Sequence, residues 1–319
     1  MKIRETDSSA DDYQSIASVI KAADPDEFLG PAELAEDDRN LRREGMSATW
    51  FIAEADDPIG VSAIRQSPWI ADPTSLHVGV FVRPQARRRG VGRSLLEVAE
   101  AAGRSQGGRL LRSYVRDDVP AAVGFVRAAG FARADLEWEA EIDPQAFDAR
   151  PWRPLVDAVE SSGIELTTVA ALRSRLPDWF ERTHALASSL ELDIPTVDPI
   201  QPEPASYYRG YAIESVGAIL EGFFVARDGT EWVGLTQLRA VEDEPTILHQ
   251  DLTGVVQSHR RRGIATALKV IALEWAQRHG YTRIRTENAA SNAAMLAINR
   301  SLGYTEGRPV GEYHKELHP

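Results

Sequence analysis

The chain has 319 residues, a formal net charge of −12, 43% hydrophobic and 26% charged side chains, and no cysteine. That length suits about two domains, and the missing cysteines exclude disulfides, thiolate metal sites and a cysteine nucleophile. Acidic side chains outnumber basic ones in both halves, which argues against a nucleic-acid module. No apolar run reaches membrane-spanning length and the first residues lack a secretory signal, so a cytoplasmic location is expected, without membrane or metal.

In chain order, Lys2–Glu5 reads as a strand and Asp11–Lys21 as a helix. The acidic stretch Asp24–Asp38 reads as a solvated surface. Trp50–Glu54 and Ile59–Ile64 form a hairpin closed by Asp56-Asp57-Pro58, and Leu76–Val82 is a further strand. Gly90–Arg104 carries Val91, Leu95, Leu96, Val98 and Ala99 at helical spacing. Leu110–Val115 is a strand, Ala121–Ala128 a helix, and Phe131–Ile142 holds further strands. The halves, residues 1–150 and 151–319, meet near Asp143–Ser162, where Asp143-Pro144 and Arg150–Pro154 read as turn and linker and Pro154–Ser162 as a short helix ended by Gly163.

After Ile164–Thr168, a strand, and a loop with prolines 195, 199, 202 and 204, the order repeats. Gly222–Ala226 and Trp232–Leu238 form a hairpin, Ile247–Val256 a strand, Ile264–His279 a helix, Arg283–Thr286 a strand and Asn292–Ser301 a helix; Tyr313–Leu317 closes the chain. The repeat is visible in the residues. Arg87-Arg88-Arg89-Gly90-Val91-Gly92 recurs 173 positions later as Arg260-Arg261-Arg262-Gly263-Ile264-Ala265, and Ala129-Gly130-Phe131 recurs as Leu302-Gly303-Tyr304. A repeat of that length is a duplicated α/β domain with a mixed sheet.

Both arginine-rich turns sit between a strand and a helix. A helix N-terminus presents unpaired N–H groups, so such a turn can hold phosphate, with glycine allowing close approach and arginines adding charge. A solvated turn capping a core helix is the plainer reading of either copy alone.

The pattern resembles the GNAT superfamily of acetyltransferases, whose loop is (Q/R)-x-x-G-x-(G/A) after a strand ending in Val-x-Pro. Val82-Arg83-Pro84 leads into the first copy; the second follows Val255-Val256-Gln257. A further family motif is matched by Asn292-Ala293-Ala294-Met295 and Leu302-Gly303-Tyr304. The resemblance covers nearly the whole chain and implies two tandem GNAT acyl-CoA N-acyltransferase folds, with acetyl-CoA as co-substrate. It implies cofactor contacts at Val255, Val256, Arg260 to Thr266, Asn288, Asn292 and Asn299, and at Val82, Arg87, Arg88, Arg89, Gly90, Val91 and Gly92. The strands Leu248–Val255 and Arg283–Thr286 are expected to splay around the pantetheine arm, with main-chain groups near Val255 holding the acetyl carbonyl.

Catalysis then needs a base for the amine. In many members of the family a glutamate eleven residues before the first loop residue does this; the resemblance puts His249 at that place before Arg260, and Leu76, which cannot titrate, before Arg87. Asp251 is the second candidate; His249, Asp251, Thr253 and Val255 share a face unless a bulge intervenes. A solvent-exposed strand-end histidine is the alternative. The tyrosine acid of the family is replaced by Asn299 in one half and Val126 in the other, which leaves Tyr304, another tyrosine or solvent. The first half lacks base, acid and asparagine (Val119) and is expected to bind CoA without catalysis. Tyr207, Tyr208 and Tyr211, like Trp179 and Phe180, either wall an acceptor site or pack a helix. The expected activity is acetyl transfer to a primary amine of a small molecule, by a monomer or homodimer. A non-catalytic acyl-CoA-binding module and a protein acetyltransferase stay open.

Overall fold

A computed structural model describes residues 1–27 and 30–318. The chain forms two compact units: residues 1–137, 197–216 and 309–319 make the first, and residues 138–196 and 217–308 the second. Among the described residues no helix is long and apolar enough to cross a membrane.

The first unit runs through β1 (Lys2–Glu5), α1 (Ala10–Ala23), α2 (Pro31–Arg43), β2 (Ala48–Glu54), β3 (Pro58–Arg65), β4 (Ser75–Val82), α3 (Val91–Ser105), β5 (Leu110–Arg116), α4 (Pro120–Ala128) and the start of β6 (Ala132–Ile142). Strands β1 to β4 pair antiparallel in sequence order, and β4 pairs parallel with β5. Helix α3 lays Val91, Leu95, Leu96 and Ala99 against Ile64, Leu76, Val78 and Leu111, the apolar stripe that its spacing predicts.

The second unit takes the end of β6, then α5 (Arg153–Ser161), β7 (Ile164–Thr168), α6 (Val169–Arg173) and α7 (Trp179–Glu191). The short helix α8 (Ala205–Tyr208) belongs to the first unit. The second unit continues with β8 (Ala218–Asp228), β9 (Glu231–Val241), β10 (Glu244–Val255), α9 (Ile264–Arg278), β11 (Arg283–Ala289) and α10 (Ala293–Leu302). Its strands β7 to β10 are antiparallel neighbours, and β10 pairs parallel with β11. The final strand β12 (Thr305–Glu316) enters the first unit at Pro309, where Val310–Glu316 pair antiparallel with β5.

The acidic stretch 24–38 is not all solvated. Asp38 is 1% exposed and accepts from the Tyr13 hydroxyl at 2.8 Å and from the Trp50 indole at 3.4 Å. Phe28 and Leu29 of that stretch lie outside the described residues. Tyr207 and Tyr208 are buried in the first unit. The Tyr207 hydroxyl donates to Asp37 at 2.6 Å and its ring stacks on Tyr211, so these tyrosines dock the 197–216 segment.

Candidate active site

Each unit ends its fourth antiparallel strand in the same turn. Gly90 and Gly263 have φ of +86° and +78°, and Arg88 and Arg261 have +63° and +60°. Left-handed residues spaced this way turn successive N–H groups to one side, making an anion-binding concavity. Glycine is favoured at 90 and 263 because a side chain is strained at these φ values. Neither glycine can cap the following helix and no other side chain does so, which leaves the first-turn N–H groups of α3 and α9 open.

The side chain of the leading arginine of each turn reaches back to the strand before it. Arg87 Nε donates to the Val82 carbonyl at 3.0 Å, and Arg260 Nε donates to the Val255 carbonyl at 2.9 Å. Arg260 also pairs with Asp193, and Arg87 with the Ala23 carbonyl. These two arginines bind the turn to its own strand. Arg262 lies 3.8 Å from Asp228. Arg88, Arg89 and Arg261 are exposed and extend the positive charge of the two turns.

Ahead of the turn, the parallel strands part. In the second unit the β10–β11 register runs Ile247↔Arg283, Leu248↔Ile284 and His249↔Arg285 and ends there; in the first it ends at His77↔Arg112. The Val256 N–H is spent on the Val233 carbonyl at 2.9 Å. Alternation in an antiparallel ladder therefore turns the Thr253 and Val255 N–H groups away from β9, into the gap between β10 and β11. With the Val255 carbonyl held by Arg260, the gap presents donors at this point.

A β-bulge in β10 reshapes the expected row of residues. The register passes from Gln250↔Leu238 to Thr253↔Thr236, three steps on β10 against two on β9. Gln250, Thr253 and Val255 consequently share the α9 face, while His249 lies on the other, where Leu190 of α7 packs against Gly254. The simple alternation of His249, Asp251, Thr253 and Val255 does not hold.

His249 and Asp251 do come together, with Nδ1 and Oδ1 2.6 Å apart. Glu287 lies 3.9 Å from Nε2, and Arg239 lies 3.7 Å from Asp251. Burial opposes the imidazolium, but the Asp251 hydrogen bond and the charges of Asp251 and Glu287 outweigh it and push His249 up to about 9. The ring is therefore protonated at neutral pH.

Tyr304 is on the α9 side and not at this pair. Its hydroxyl donates to Gln250 Oε1 at 2.7 Å, and burial raises its pKa far above the ordinary tyrosine value. Asn292 caps α10, its Oδ1 accepting from the Met295 N–H at 3.3 Å. Asn299 is 2% exposed, and among the described residues neither its Oδ1 nor its Nδ2 finds a partner, nor does the buried Nδ2 of Asn288. Buried amide groups without partners mark a place for a polar ligand.

The strand count from the arginines overlooked His77. His249 follows His77 by 172 residues, while Val255 follows Val82 by 173, and the extra residue is the bulge. His77 pairs across to Arg65 and Arg112, as His249 pairs to Arg239 and Arg285. Burial, then the charges of Arg65 and Arg112, push it down to about 3. Around it, the buried Arg112 pairs with Glu312, and His314 lies 2.8 Å from the same carboxylate. Asp198, Glu312 and His314 could together hold a metal ion, but Arg112 already supplies the cation to Glu312 and lies 3.6 Å from Asp198.

Residues 13–131 and 185–304 each match the Acetyltransferase (GNAT) family. The chain is 25% identical over 314 residues to a mycothiol acetyltransferase of Thermobispora bispora, covering 96% of this chain and 95% of the relative. A segment of 63 residues is 35% identical to an aminoglycoside N(6')-acetyltransferase type 1 of Acinetobacter haemolyticus, over 20% of this chain and 43% of the relative. Among solved structures, a tandem GNAT protein from the clavulanic acid biosynthesis pathway aligns with a TM-score of 0.68 and 19% identity, covering 100% of this chain and 99% of that one. A GCN5-related N-acetyltransferase from Sphaerobacter thermophilus aligns with a TM-score of 0.67 and 18% identity, covering 99% and 96%.

Proposed function

The chain belongs to the GNAT acetyltransferase family, and from that premise we propose that residues 151–319 carry an acetyl-CoA-dependent transfer to a primary amine of a small acceptor. Residues 1–150 keep a phosphate turn and, in His77, the histidine position, but without a counterpart of Asp251. The observation that carries this reading is the bulged β10, which sets the His249–Asp251 pair on one face of a strand whose Val255 N–H opens into the β10–β11 gap.

The side chains of the second unit fit the cofactor. The turn from Arg260 to Thr266 offers uncapped N–H groups for the pyrophosphate, and Asn288 and Asn299 bring amide groups that lack partners among the described residues. Acetyl-CoA, when bound, supplies the activated acetyl group. The Thr253 and Val255 N–H groups stabilise negative charge developing on a carbonyl oxygen. Asp251 fixes the His249 ring through Nδ1, leaving Nε2 to face the acceptor side beside Glu287. An acceptor ammonium is drawn to these carboxylates. Its positive charge beside the imidazolium lowers the His249 pKa, so the ring can release its proton to solvent and then receive one from the amine.

The full-length similarity to a mycothiol acetyltransferase and the local one to an aminoglycoside acetyltransferase favour a small-molecule acceptor over a peptide. The test is to incubate the protein with acetyl-CoA and a panel of small polyamines, amino sugars and peptides, following free thiol. Turnover with a small amine that drops by at least about a hundredfold in His249→Ala supports the proposal. Binding of acetyl-CoA with no turnover of any amine, or turnover indifferent to His249→Ala, would favour a non-catalytic acyl-CoA-binding role or another base.

A further inference from the structure

Behind the β10 bulge lies a buried polar network that the chemistry above does not use. Lys269 of α9 is 1% exposed, and its Nζ donates to Gln250 Oε1. The Tyr304 hydroxyl donates to the same oxygen at 2.7 Å, and Lys269 Nζ lies 4.9 Å from the Tyr304 ring centre. Gln250 Nε2 donates to Thr236 Oγ1 at 3.0 Å, and Thr236 Oγ1 is 2.7 Å from Thr253 Oγ1. The chain of contacts thus begins on α9, spans the bulge from Gln250 to Thr253, and ends on a residue whose N–H enters the gap.

Stability does not account for this network. Burying an ammonium without a carboxylate partner is destabilising in general, and burial pushes Lys269 down to about 7. The first unit shows that a hydrocarbon arrangement is available. At the matching places it has Val78 for Gln250, Leu96 for Lys269 and Phe131 for Tyr304, all buried in one apolar cluster. There β4 pairs with β3 in unbroken register from His77↔Arg65 to Val82↔Gly60. Within a single chain, the polar set accompanies the bulged strand and the apolar set the regular one.

We propose that Lys269, Gln250 and Tyr304 are positioning residues that clamp the β10 bulge and so aim the Thr253 and Val255 N–H groups at the acyl carbonyl. This rests on the acetyl-transfer reading of the second unit. A bulge gives up ladder hydrogen bonds and leaves one residue unpaired, so its geometry has to be fixed from outside the ladder. Gln250 does this because its amide joins helix α9 and the Tyr304 corner to both sides of the irregular segment. A donor aimed at a developing oxyanion must be held in place before the reaction, and a small misplacement lowers rate more than affinity.

The test transplants the first unit's residues: Gln250→Val, Lys269→Leu and Tyr304→Phe together in the full chain. Thr236 and Thr253 still bond to each other, so no polar group is stranded. The expected variant melts at or above the wild-type temperature, because a well-packed apolar set replaces a buried charge. Amide hydrogen exchange at Thr253 and Val255 accelerates by about tenfold or more. The kcat falls by about a hundredfold with KM for acetyl-CoA within about threefold. A folded variant with wild-type exchange and wild-type kcat overturns the clamp, as does a loss of kcat that only follows a loss of folded protein. If the triple variant does not fold, Tyr304→Phe and Lys269→Met are measured singly, and the clamp is refuted if neither speeds exchange at Val255. Exchange needs no substrate. A wild-type protein that acetylates no amine therefore sinks the reaction, while Val255 exchange still decides the clamp.

Discussion

Replacing Asp251 with asparagine separates the charge on this residue from its shape. Asp251 Oδ1 is 2.6 Å from His249 Nδ1, and its hydrogen bond and charge are the main influences raising the His249 pKa. They lift it from the ordinary 6.5 to about 9, against burial and the charge of Arg239. In Asp251→Asn those opposing effects remain, and only Glu287, 3.9 Å away, still favours the proton. The titration midpoint should therefore fall from about 9 to below the ordinary histidine value of 6.5. Proton NMR of the ring reads this directly, with His249→Gln identifying the signal.

Stability gives a second readout with a fixed sign. The folded pKa of His249 is raised, so its contribution is fully present below pH 6.5 and is lost as pH rises through about 9. Wild-type protein should lose this increment across that window, and Asp251→Asn should not. Turnover that needs the neutral ring should rise through a limb near 9 in the wild type when acceptor is dilute, and through a lower limb in the variant. A ring that still titrates near 9 in Asp251→Asn, or below 6.5 in the wild type, would refute the coupling.

Gly263→Ala places a side chain at φ +78°, a strain of roughly 1–2 kcal/mol, and should weaken acetyl-CoA binding by about tenfold in calorimetry. Gly90→Ala, at +86°, should cost similar stability in urea unfolding while leaving turnover unchanged, since the first half is proposed to be non-catalytic. Arg112→Ala leaves Glu312 buried without its arginine, and should cost about 3–5 kcal/mol in urea unfolding. Arg112→Met combined with Glu312→Leu should recover most of that loss.

What was legible in the sequence was written in short-range constraints. The duplicated turns show because a left-handed residue at 90 and 263 nearly demands glycine, and the helices after them show because their apolar spacing continues for several turns. His249 and Asp251 could be found together because two positions along a strand place side chains on one face. The role of Arg87 and Arg260 could not be seen, since a cation beside a phosphate turn looks the same whether it faces the ligand or the strand's last carbonyl. The pairing of Val310–Glu316 with β5 left no local trace, because antiparallel pairing does not depend on the length of chain between the strands. The docking of Tyr207 on Asp37 is likewise a contact across 170 residues.

The bulge explains the largest omission, and it changes how the two halves compare. A count at fixed offset assigns Leu76 opposite His249, whereas the strand registers assign His77. The halves therefore differ less in which residue occupies the position than in what surrounds it. His249 has Asp251 at 2.6 Å and Glu287 at 3.9 Å, so its imidazolium is sustained. His77 stands between Arg65 and Arg112, the carboxylates of Asp37 and Glu312 are engaged by those arginines, and the ring is held neutral. A neutral ring so hard to protonate cannot take a proton from an ammonium at ordinary pH. The absence of catalysis proposed for the first half thus needs no loss of its histidine. An unbulged strand that presents no residue equivalent to Asp251, with two arginines in attendance, is sufficient.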